Sequence, residues 1–315
     1  ALGRLYGPNW VRPALVVLGY RAAGRADDKR ILRSAAGMEL LHHFFLIHDD
    51  IMERSDVRRN RPTVHHVFAE TYRETTRRLR KADRKHFAYS MAMLAGNLCC
   101  AIAYEAISQS EFPSDRVLAG IHEIHRMVNA TMTGQVLDIV QPLDQGTDEA
   151  AVVKIYLLKT ASYTFDGPLR LGMILGEAAE EALSAISGYA LPVGIAFQIQ
   201  DDLLGVFGSE EEIGKSVTSD IAEGKQTLLT VFAHAHGTRR ARAQLARLIG
   251  KQDLSPNELE EVRAIMRETG AVDYARARAR EFVEQGKQTL ARNAMPANVR
   301  AILRQLADYV IHRTV

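Results

Sequence analysis

Apolar residues recur every three or four positions along almost the whole chain. This spacing places them on one face of an α-helix, and we find no convincing run of the strict alternation typical of a half-buried strand. The pattern predicts helices at about 13–23, 29–50, 65–80, 84–108, 114–140, 147–160, 161–176, 178–205, 225–235, 238–250, 255–269, 270–292 and 297–312. We therefore expect an all-α protein.

Two charged segments interrupt the helices. Residues 54–64 form a charged loop that Pro62 helps to end, and residues 207–224, rich in Gly, Ser and charge, are interpreted as a mobile loop. The later helices carry Arg and Glu faces, which we interpret as solvated surface. No linker or break in composition divides the chain, so residues 1–315 are predicted to form a single domain.

Composition excludes several classes of protein. Forty basic and 38 acidic residues give a net charge of +2, too balanced to indicate nucleic-acid binding. The adjacent Cys99 and Cys100 lie in an apolar helical stretch, as reduced core residues of a cytoplasmic protein do. No uninterrupted apolar run reaches the ~18 residues of a membrane span. We expect a cytoplasmic protein without a membrane span.

The first helix with chemical interest ends in an acidic cluster. Asp49 and Glu53 stand four residues apart, on one helix face, and Asp50 is beside them. Carboxylates at a helix C-terminus oppose the macrodipole, and like charges at this spacing repel unless a cation lies between them. Because carboxylate oxygens without a Cys or His partner suit a hard ion, the cluster indicates Mg²⁺.

A second doublet, Asp201 and Asp202, follows 152 positions later. The cations that a phosphate needs stand near the two clusters in sequence: Arg58, Arg59, Lys215 and Lys225. Together, the two clusters and these cations predict a metal-bridged diphosphate site.

Two longer motifs make the pattern specific. LIHDDIMERSDVRRNRPTVH (46–65) and FQIQDDLLGVFGSEEEIGK (197–215), with Gly134-Gln135 and Lys159-Thr160 between them, resemble the trans-isoprenyl diphosphate synthases, or polyprenyl synthetases. The resemblance implies a homodimer whose helical bundles each surround a central cavity. It also implies Mg²⁺-dependent condensation of isopentenyl diphosphate with an allylic diphosphate.

The resemblance also implies roles for single residues. It gives Asp49 and Glu53 as ligands of two Mg²⁺ ions, with Asp50 in support, and Asp201 as the ligand of a third, with Asp202 in support. The allylic diphosphate would be held by Arg58, Lys159 and Lys215, with Lys225 as the second lysine of a closing loop; isopentenyl diphosphate would be held by Arg12, His42 and Arg59. Thr160 and Gln198 would stabilise the carbocation.

Two phenylalanines bear on product length. Phe44 and Phe45 lie five and four residues before Asp49, one helical turn beneath the carboxylates. A prenyl tail running down this face would meet their rings, and bulky residues here go with short products in the family. We expect a C15 product, with C10 as the shorter possibility.

Several positions depart from the family pattern and leave alternatives open. Asn9 and Trp10 replace a usual Lys and Arg, Glu53 and Gly205 replace acidic residues of the two motifs, and Asn60 replaces a Gly. The alternatives are a class I terpene synthase, a prenyltransferase with an altered acceptor, and a non-catalytic subunit of a heteromeric synthase. Retention of both acidic clusters favours an elongating synthase.

Overall fold

The computed structural model describes residues 10–26, 28–143, 147–209, 217 and 219–313, with side chains at 219 and 220 left aside. The all-α prediction is confirmed. The α-helices are α1 (Val11–Ala22), α2 (Lys29–Met52), α3 (Val64–Thr71), α4 (Arg73–Thr76), α5 (Lys81–Ser108), α6 (Ser114–Val140), α7 (Glu149–Ile155), α8 (Gly167–Leu175), α9 (Glu180–Phe207), α10 (Ser219–Ala222), α11 (Leu228–His236), α12 (Arg239–Leu248), α13 (Pro256–Glu268), α14 (Ala271–Arg292) and α15 (Ala297–His312). A 3₁₀ turn spans Gln141–Leu143, and two short strands, β1 (Val57–Arg58) and β2 (Arg61–Pro62), form a hairpin.

The long helices pack side by side around two clusters of buried apolar side chains. α2 packs on α5, and α9 packs on α14 and on the segment Tyr156–Asp166. One cluster surrounds α9 and the C-terminal helices, and the other surrounds α2, α5 and α6. The single-domain expectation stays a prediction.

α2 shows how local chemistry fixes the position of the first acidic cluster. The side chain of Asp28 accepts hydrogen bonds from the backbone N–H groups of Arg30 and Ile31, which caps the helix N-terminus. The helix ends at Met52 with Glu53 as its C-cap, and its last turn contains no basic residue. The neutralising charges must therefore come from other elements.

The chain from Glu149 to Leu175 is a continuous helical segment, where the sequence predicted separate helices meeting at residue 160. Its middle part, Tyr156–Asp166, is a π-helix of 11 residues, in which each N–H bonds five residues back. We call this part the π-helix. Eight of its residues, all except Leu157, Leu158 and Lys159, are buried, and several of the eight are polar. Apolar spacing therefore could not reveal the change in backbone register.

The charged loop predicted at 54–64 contains the hairpin, with Val57 opposite Pro62 and Arg58 opposite Arg61. Its two turn residues, Arg59 and Asn60, have φ of 52° and 58°. Two-residue hairpin turns with positive φ at both positions match the twist of the strands, and Asn tolerates this conformation better than most residues. The predicted helix 65–80 is also two helices, α3 and α4.

Two helices, α5 and α9, are long and apolar enough to cross a membrane by length and composition alone. The prediction of no span considered only uninterrupted apolar runs and did not identify them. One or two such helices are weak evidence of a span, because core helices pass the same test. In α9, 56% of the apolar window is buried inside the structure, against 28% in α5. Both cysteines are free, as expected.

Candidate active site

The two acidic clusters line the same cavity, of about 540 Å³. α2 contributes Asp49, with Glu53 as its C-cap, and α9 contributes Asp201 and Asp202 from the other side. The volume falls within the range of small-molecule sites. Carboxylates separated by 152 positions therefore converge across one hollow, which is the arrangement that a metal-bridged site requires.

Arg58 neutralises the first cluster from the hairpin. Its guanidinium donates hydrogen bonds to Asp50 and, at 3.3 Å, to Asp49, and lies 3.8 Å from Glu53 Oε2. Burial disfavours the charged guanidinium, but the three carboxylates outweigh burial and raise the pKa of Arg58. The hairpin thus supplies the positive charge that the last turn of α2 lacks.

Lys159, on the π-helix, forms ion pairs with carboxylates of α6 and of the C-terminal end of α2. Its Nζ lies 2.6 Å from Asp138 Oδ2 on α6, 3.4 Å from Asp49 Oδ1 and 3.7 Å from Glu53 Oε1. Burial opposes protonation, but Asp49 and Asp138 raise the pKa of Lys159 above its usual value. The lysine therefore stays charged beside the position predicted for a diphosphate.

Glycines let two helices approach the π-helix closely. A Cβ on Gly134 of α6 would lie 2.4 Å from the backbone N of Lys159, and one on Gly194 of α9 would lie 2.6 Å from the Cα of Ala161. These contacts are far below van der Waals distance, so any larger side chain would push the helices apart. The close approach of α6 brings Gln135, whose Nε2 donates to Asp49 Oδ1 at 3.0 Å, into the site.

A chain of hydrogen bonds connects the π-helix to the second cluster. Thr160 Oγ1 donates to Gln198 Oε1 at 2.7 Å, and Gln198 Nε2 donates to Asp202 Oδ1 at 2.9 Å. Tyr156 donates its hydroxyl proton to the other oxygen of Asp202. Burial, and then Asp202, raise the pKa of Tyr156, which keeps it a donor. Thr160 and Gln198 thus lie with their oxygens held at the cavity wall.

Two further cations reach the carboxylates from distant parts of the chain. Lys225 Nζ lies 2.7 Å from Glu53 Oε1 and 3.0 Å from Glu223 Oε2. Arg313, after the last helix, forms an ion pair with Asp201, donates to the carbonyl of Phe197 at 3.0 Å, and stacks 3.8 Å over the Phe197 ring. Both side chains line the cavity.

A second corner of the cavity is basic. Arg12 is buried and donates to Tyr163 Oη at 3.0 Å and Thr164 Oγ1 at 2.8 Å. Burial, and then Arg12 and Arg59, hold the pKa of His42 well below its usual value, and no hydrogen bond reaches either of its ring nitrogens among the described residues. Burial, and then Arg12, also lower the pKa of Arg59. This corner combines two guanidinium groups and a neutral imidazole.

Of the remaining predicted positions, one lines the cavity, two lie elsewhere and two fall outside the described residues. Phe45 lines the cavity, whereas Phe44 is not among its described lining residues and packs with ring centroids 5.1 Å from Phe45 and 4.7 Å from His48. Trp10 is 60% exposed at the start of α1. Lys215 and Asn9 lie outside the described residues.

Sequence reasoning missed four polar residues that complete the site. Gln135 and Asp138, three apart on α6, follow the Gly134-Gln135 pair and share a face, so their spacing was a usable signal. Tyr156 stands three residues before Lys159, but an aromatic residue in an apolar helix gives no such signal. Arg313 follows the last predicted helix and had no motif to point to it.

The donor set fits a hard divalent cation. Asp49 and Glu53 on one side and Asp201 and Asp202 on the other offer only oxygen ligands, and Mg²⁺ prefers a few carboxylates together with water and phosphate oxygens. The carboxylates of the lining offset most of the charge of the six cationic side chains among the described lining residues. Little positive charge therefore remains to balance several phosphate oxygens unless such an ion binds.

Comparison with known proteins agrees with this geometry. The sequence profile of the polyprenyl synthetase family matches residues 7–266. The chain is 31% identical to a geranylgeranyl diphosphate synthase of Methanosarcina mazei, over 98% of this chain and 86% of the relative. It is 33% identical to a (2E,6E)-farnesyl diphosphate synthase of Mycobacterium bovis, over 96% and 79%.

The structure of a geranylgeranyl pyrophosphate synthase from Corynebacterium glutamicum, complexed with isoprenyl diphosphate and magnesium, has a similar fold. It superposes with a TM-score of 0.91 at 30% identity and covers 98% of this chain and 87% of its own. The matched profile, the relatives and the fold agree over nearly the whole chain. The chain belongs to the polyprenyl synthetase family.

Proposed function

We propose that the protein is a short-chain trans-prenyltransferase that joins isopentenyl diphosphate to an allylic diphosphate. One observation carries the proposal: a single cavity has two chemically different corners for anions. The acidic corner, with Asp49, Glu53 and Asp201, suits a diphosphate bridged by divalent ions. The basic corner, with Arg12 and Arg59, suits a diphosphate held without metal.

The acidic corner is suited to ionising the allylic substrate. Bound Mg²⁺ supplies Lewis-acid stabilisation of the negative charge that develops on the leaving diphosphate. Arg58, Lys159 and Lys225 add positive charge already in place, and Arg offers two parallel hydrogen bonds where Lys offers a point charge. We propose three Mg²⁺ ions, two at Asp49 and Glu53 and one at Asp201.

The wall between the corners is suited to a carbocation. The hydroxyl of Thr160 uses its proton toward Gln198, so its lone pairs remain for the positive charge, and Gln198 is fixed by Asp202. Neither group is a strong nucleophile, and the apolar lining from Phe45, Leu46 and Phe197 excludes water that would quench the cation. The double bond of isopentenyl diphosphate then attacks, and a proton leaves to the released diphosphate.

Product analysis tests the reaction. Incubation with Mg²⁺, isopentenyl diphosphate and, in turn, dimethylallyl, geranyl and farnesyl diphosphates is expected to extend the first two to C15 and the third weakly. Asp49→Asn is expected to lose about 10²–10³-fold in turnover, the cost of removing one electrostatic group from a reaction centre. Asp115→Asn, the same change at an exposed site on α6, is the matched control.

Three outcomes would contradict the proposal. Diphosphate release without isopentenyl diphosphate would indicate a terpene synthase. No turnover by a folded protein with any of the three primers would indicate a non-catalytic subunit. A product formed from two allylic diphosphates would indicate an altered acceptor.

We further propose that Phe45 limits the product to C15. Its ring lies in the cavity wall one turn below Asp49, and it packs 4.9 Å from the ring of Tyr163. Phe45→Leu and Phe45→Ala are expected to yield progressively longer products, whereas Phe44→Ala is expected to shift product length less, because Phe44 packs behind Phe45. Unchanged C15 product from both Phe45 variants would refute the assignment.

We also propose a cytoplasmic homodimer in which a second copy covers an apolar face of α5 and α6. Leu94 and Leu98 are 63% and 54% exposed on α5, and Val136 and Ile139 are 61% and 50% exposed on α6. Exposed apolar side chains concentrated on two helices are typical of an interface. Light scattering after gel filtration is expected to show a dimer that Leu98→Glu dissociates. Leu32→Glu, at an equally exposed single leucine on α2, should not dissociate it.

A further inference from the structure

Three side chains with metal-binding atoms meet at the base of the hairpin, outside the cavity. Asp56 directly precedes β1, and His65 and His66 lie in the first turn of α3. One donor atom from each residue lies within 4.8 Å of the other two. None of the three is among the described residues that line the cavity.

The backbone holds this group together. Thr63 donates its N–H to the carbonyl of Asp56 at 3.1 Å, and its hydroxyl lies 3.3 Å from the same oxygen. These contacts close the base of the hairpin and fix Asp56 next to the start of α3. His66 Nε2 lies 2.8 Å from Asp56 Oδ1, so two of the three donors already point toward each other.

His65 provides an independent indication of a ligand. Its side chain is only 5% exposed and packs edge-on against Tyr89, with ring centroids 5.1 Å apart. Its two ring nitrogens lie 3.3 Å from the hydroxyl of Thr63, which is long for a hydrogen bond. The imidazole is therefore buried beside Asp56 and His66 with only long polar contacts to Thr63.

We propose that Asp56, His65 and His66 form a binding site for one transition-metal ion of the Zn²⁺ type. Two imidazoles and one carboxylate match the preference of Zn²⁺, and of Co²⁺ as its spectroscopic substitute, rather than that of Mg²⁺. Three protein ligands leave a fourth position for water. The carboxylate of Asp56 offsets part of the ion's charge at the N-terminal end of α3.

Such an ion would connect both ends of the segment that carries Arg58 and Arg59. Asp56 stands on one side of the hairpin, and the two histidines stand on the other. A metal bound to all three would cross-link the two sides and restrain the turn at Arg59 and Asn60. The site would thereby stabilise the position of both arginines without contacting a substrate.

Cobalt spectroscopy tests the site without any measurement of turnover. The metal-free full chain is titrated with Co²⁺ in excess Mg²⁺, which occupies the carboxylates of the cavity. We expect visible d–d absorption that saturates at one equivalent and that one equivalent of Zn²⁺ abolishes. His66→Ala and Asp56→Asn are expected to weaken binding at least about tenfold, as changes around metal ligands do.

The matched control is His86→Ala, which removes an exposed histidine from α5 and should leave the titration unchanged. His66→Gln serves as a second variant, and circular dichroism verifies that each variant is folded. Equal absorption by all variants, or no absorption in excess Mg²⁺, would overturn the proposal and leave His66 and Asp56 as an ion pair beside a buried histidine. Because no substrate is present, this result is independent of the proposed prenyltransferase activity.

Discussion

Replacement of Arg58 by Gln tests whether the hairpin balances the first acidic cluster. The change keeps a polar side chain but removes the positive charge shared by Asp49, Asp50 and Glu53. The Asp50 side chain is only 1% exposed and that of Arg58 20%, so the pair resembles a buried ion pair more than a surface one. Loss of one partner of a buried pair costs about 3–5 kcal/mol, against 0–1 kcal/mol at a surface.

We expect the lower end of that range, about 3 kcal/mol, because Lys159 and Lys225 still lie near Asp49 and Glu53. An unfolding entropy of about 2.1 cal/mol/K per residue converts this cost to a fall of roughly 5 °C in Tm for a chain of this length. Thermal unfolding is measured in EDTA and again in excess Mg²⁺.

The response to Mg²⁺ separates this explanation from a general loss of packing. Mg²⁺ should raise the Tm of Arg58→Gln more than that of the unmodified protein, because the ion need not displace a guanidinium from the carboxylates. Arg54→Gln removes the same charge from an exposed position five residues after Asp49. It should change the Tm by no more than about 1 °C, both in EDTA and in excess Mg²⁺. Equal Mg²⁺ responses in the three proteins would refute the reasoning.

Three further changes test other parts of the site. Gly134→Ala places a methyl group against the backbone of Lys159 and is expected to destabilise the protein by about 1–3 kcal/mol in urea unfolding, with reduced turnover. Arg313→Met removes the partner of Asp201 and should lower the Mg²⁺ concentration for half-maximal turnover several-fold; an unchanged value would show that the two do not compete. Because His42 is held neutral in the folded state, the unfolded chain binds more protons below pH 6.5, and stability should fall as pH falls from there. His42→Gln should fall less steeply over the same range, whereas parallel curves would contradict a buried neutral imidazole.

The sequence predicts the helices well where their apolar spacing is long and regular. α2 was expected at 29–50 and spans Lys29–Met52, because Asp28 caps it and the charged loop ends it. The hairpin was missed because each strand has two residues, too few to show alternation. Its only local signal was Arg59-Asn60, since Asn is one of the residues that adopts positive φ readily.

The site residues that the sequence revealed lie in local motifs, whereas those that it did not reveal form pairs between distant parts of the chain. Asp49 with Glu53 and Asp201 with Asp202 could be found because motifs of adjacent residues contain them. The Lys159–Asp138 pair depends on how closely α6 approaches the π-helix, and the Arg313–Asp201 pair joins residues 112 positions apart. Such pairings are decided by packing, which a single sequence does not display.

The π-helix has a consequence for how this protein tolerates insertions and deletions. Its turns hold one more residue than those of an α-helix, and Lys159, Thr160 and Tyr163 all reach the cavity from it. Deleting one residue there would turn the hydrogen bonds that span the deletion into ordinary α-helical ones and would change the angular spacing of these three side chains around the helix axis. The chain would gain a more regular helix but would no longer direct all three side chains into the cavity as it does now, so we expect the length of this segment to be kept in descendants that keep the activity.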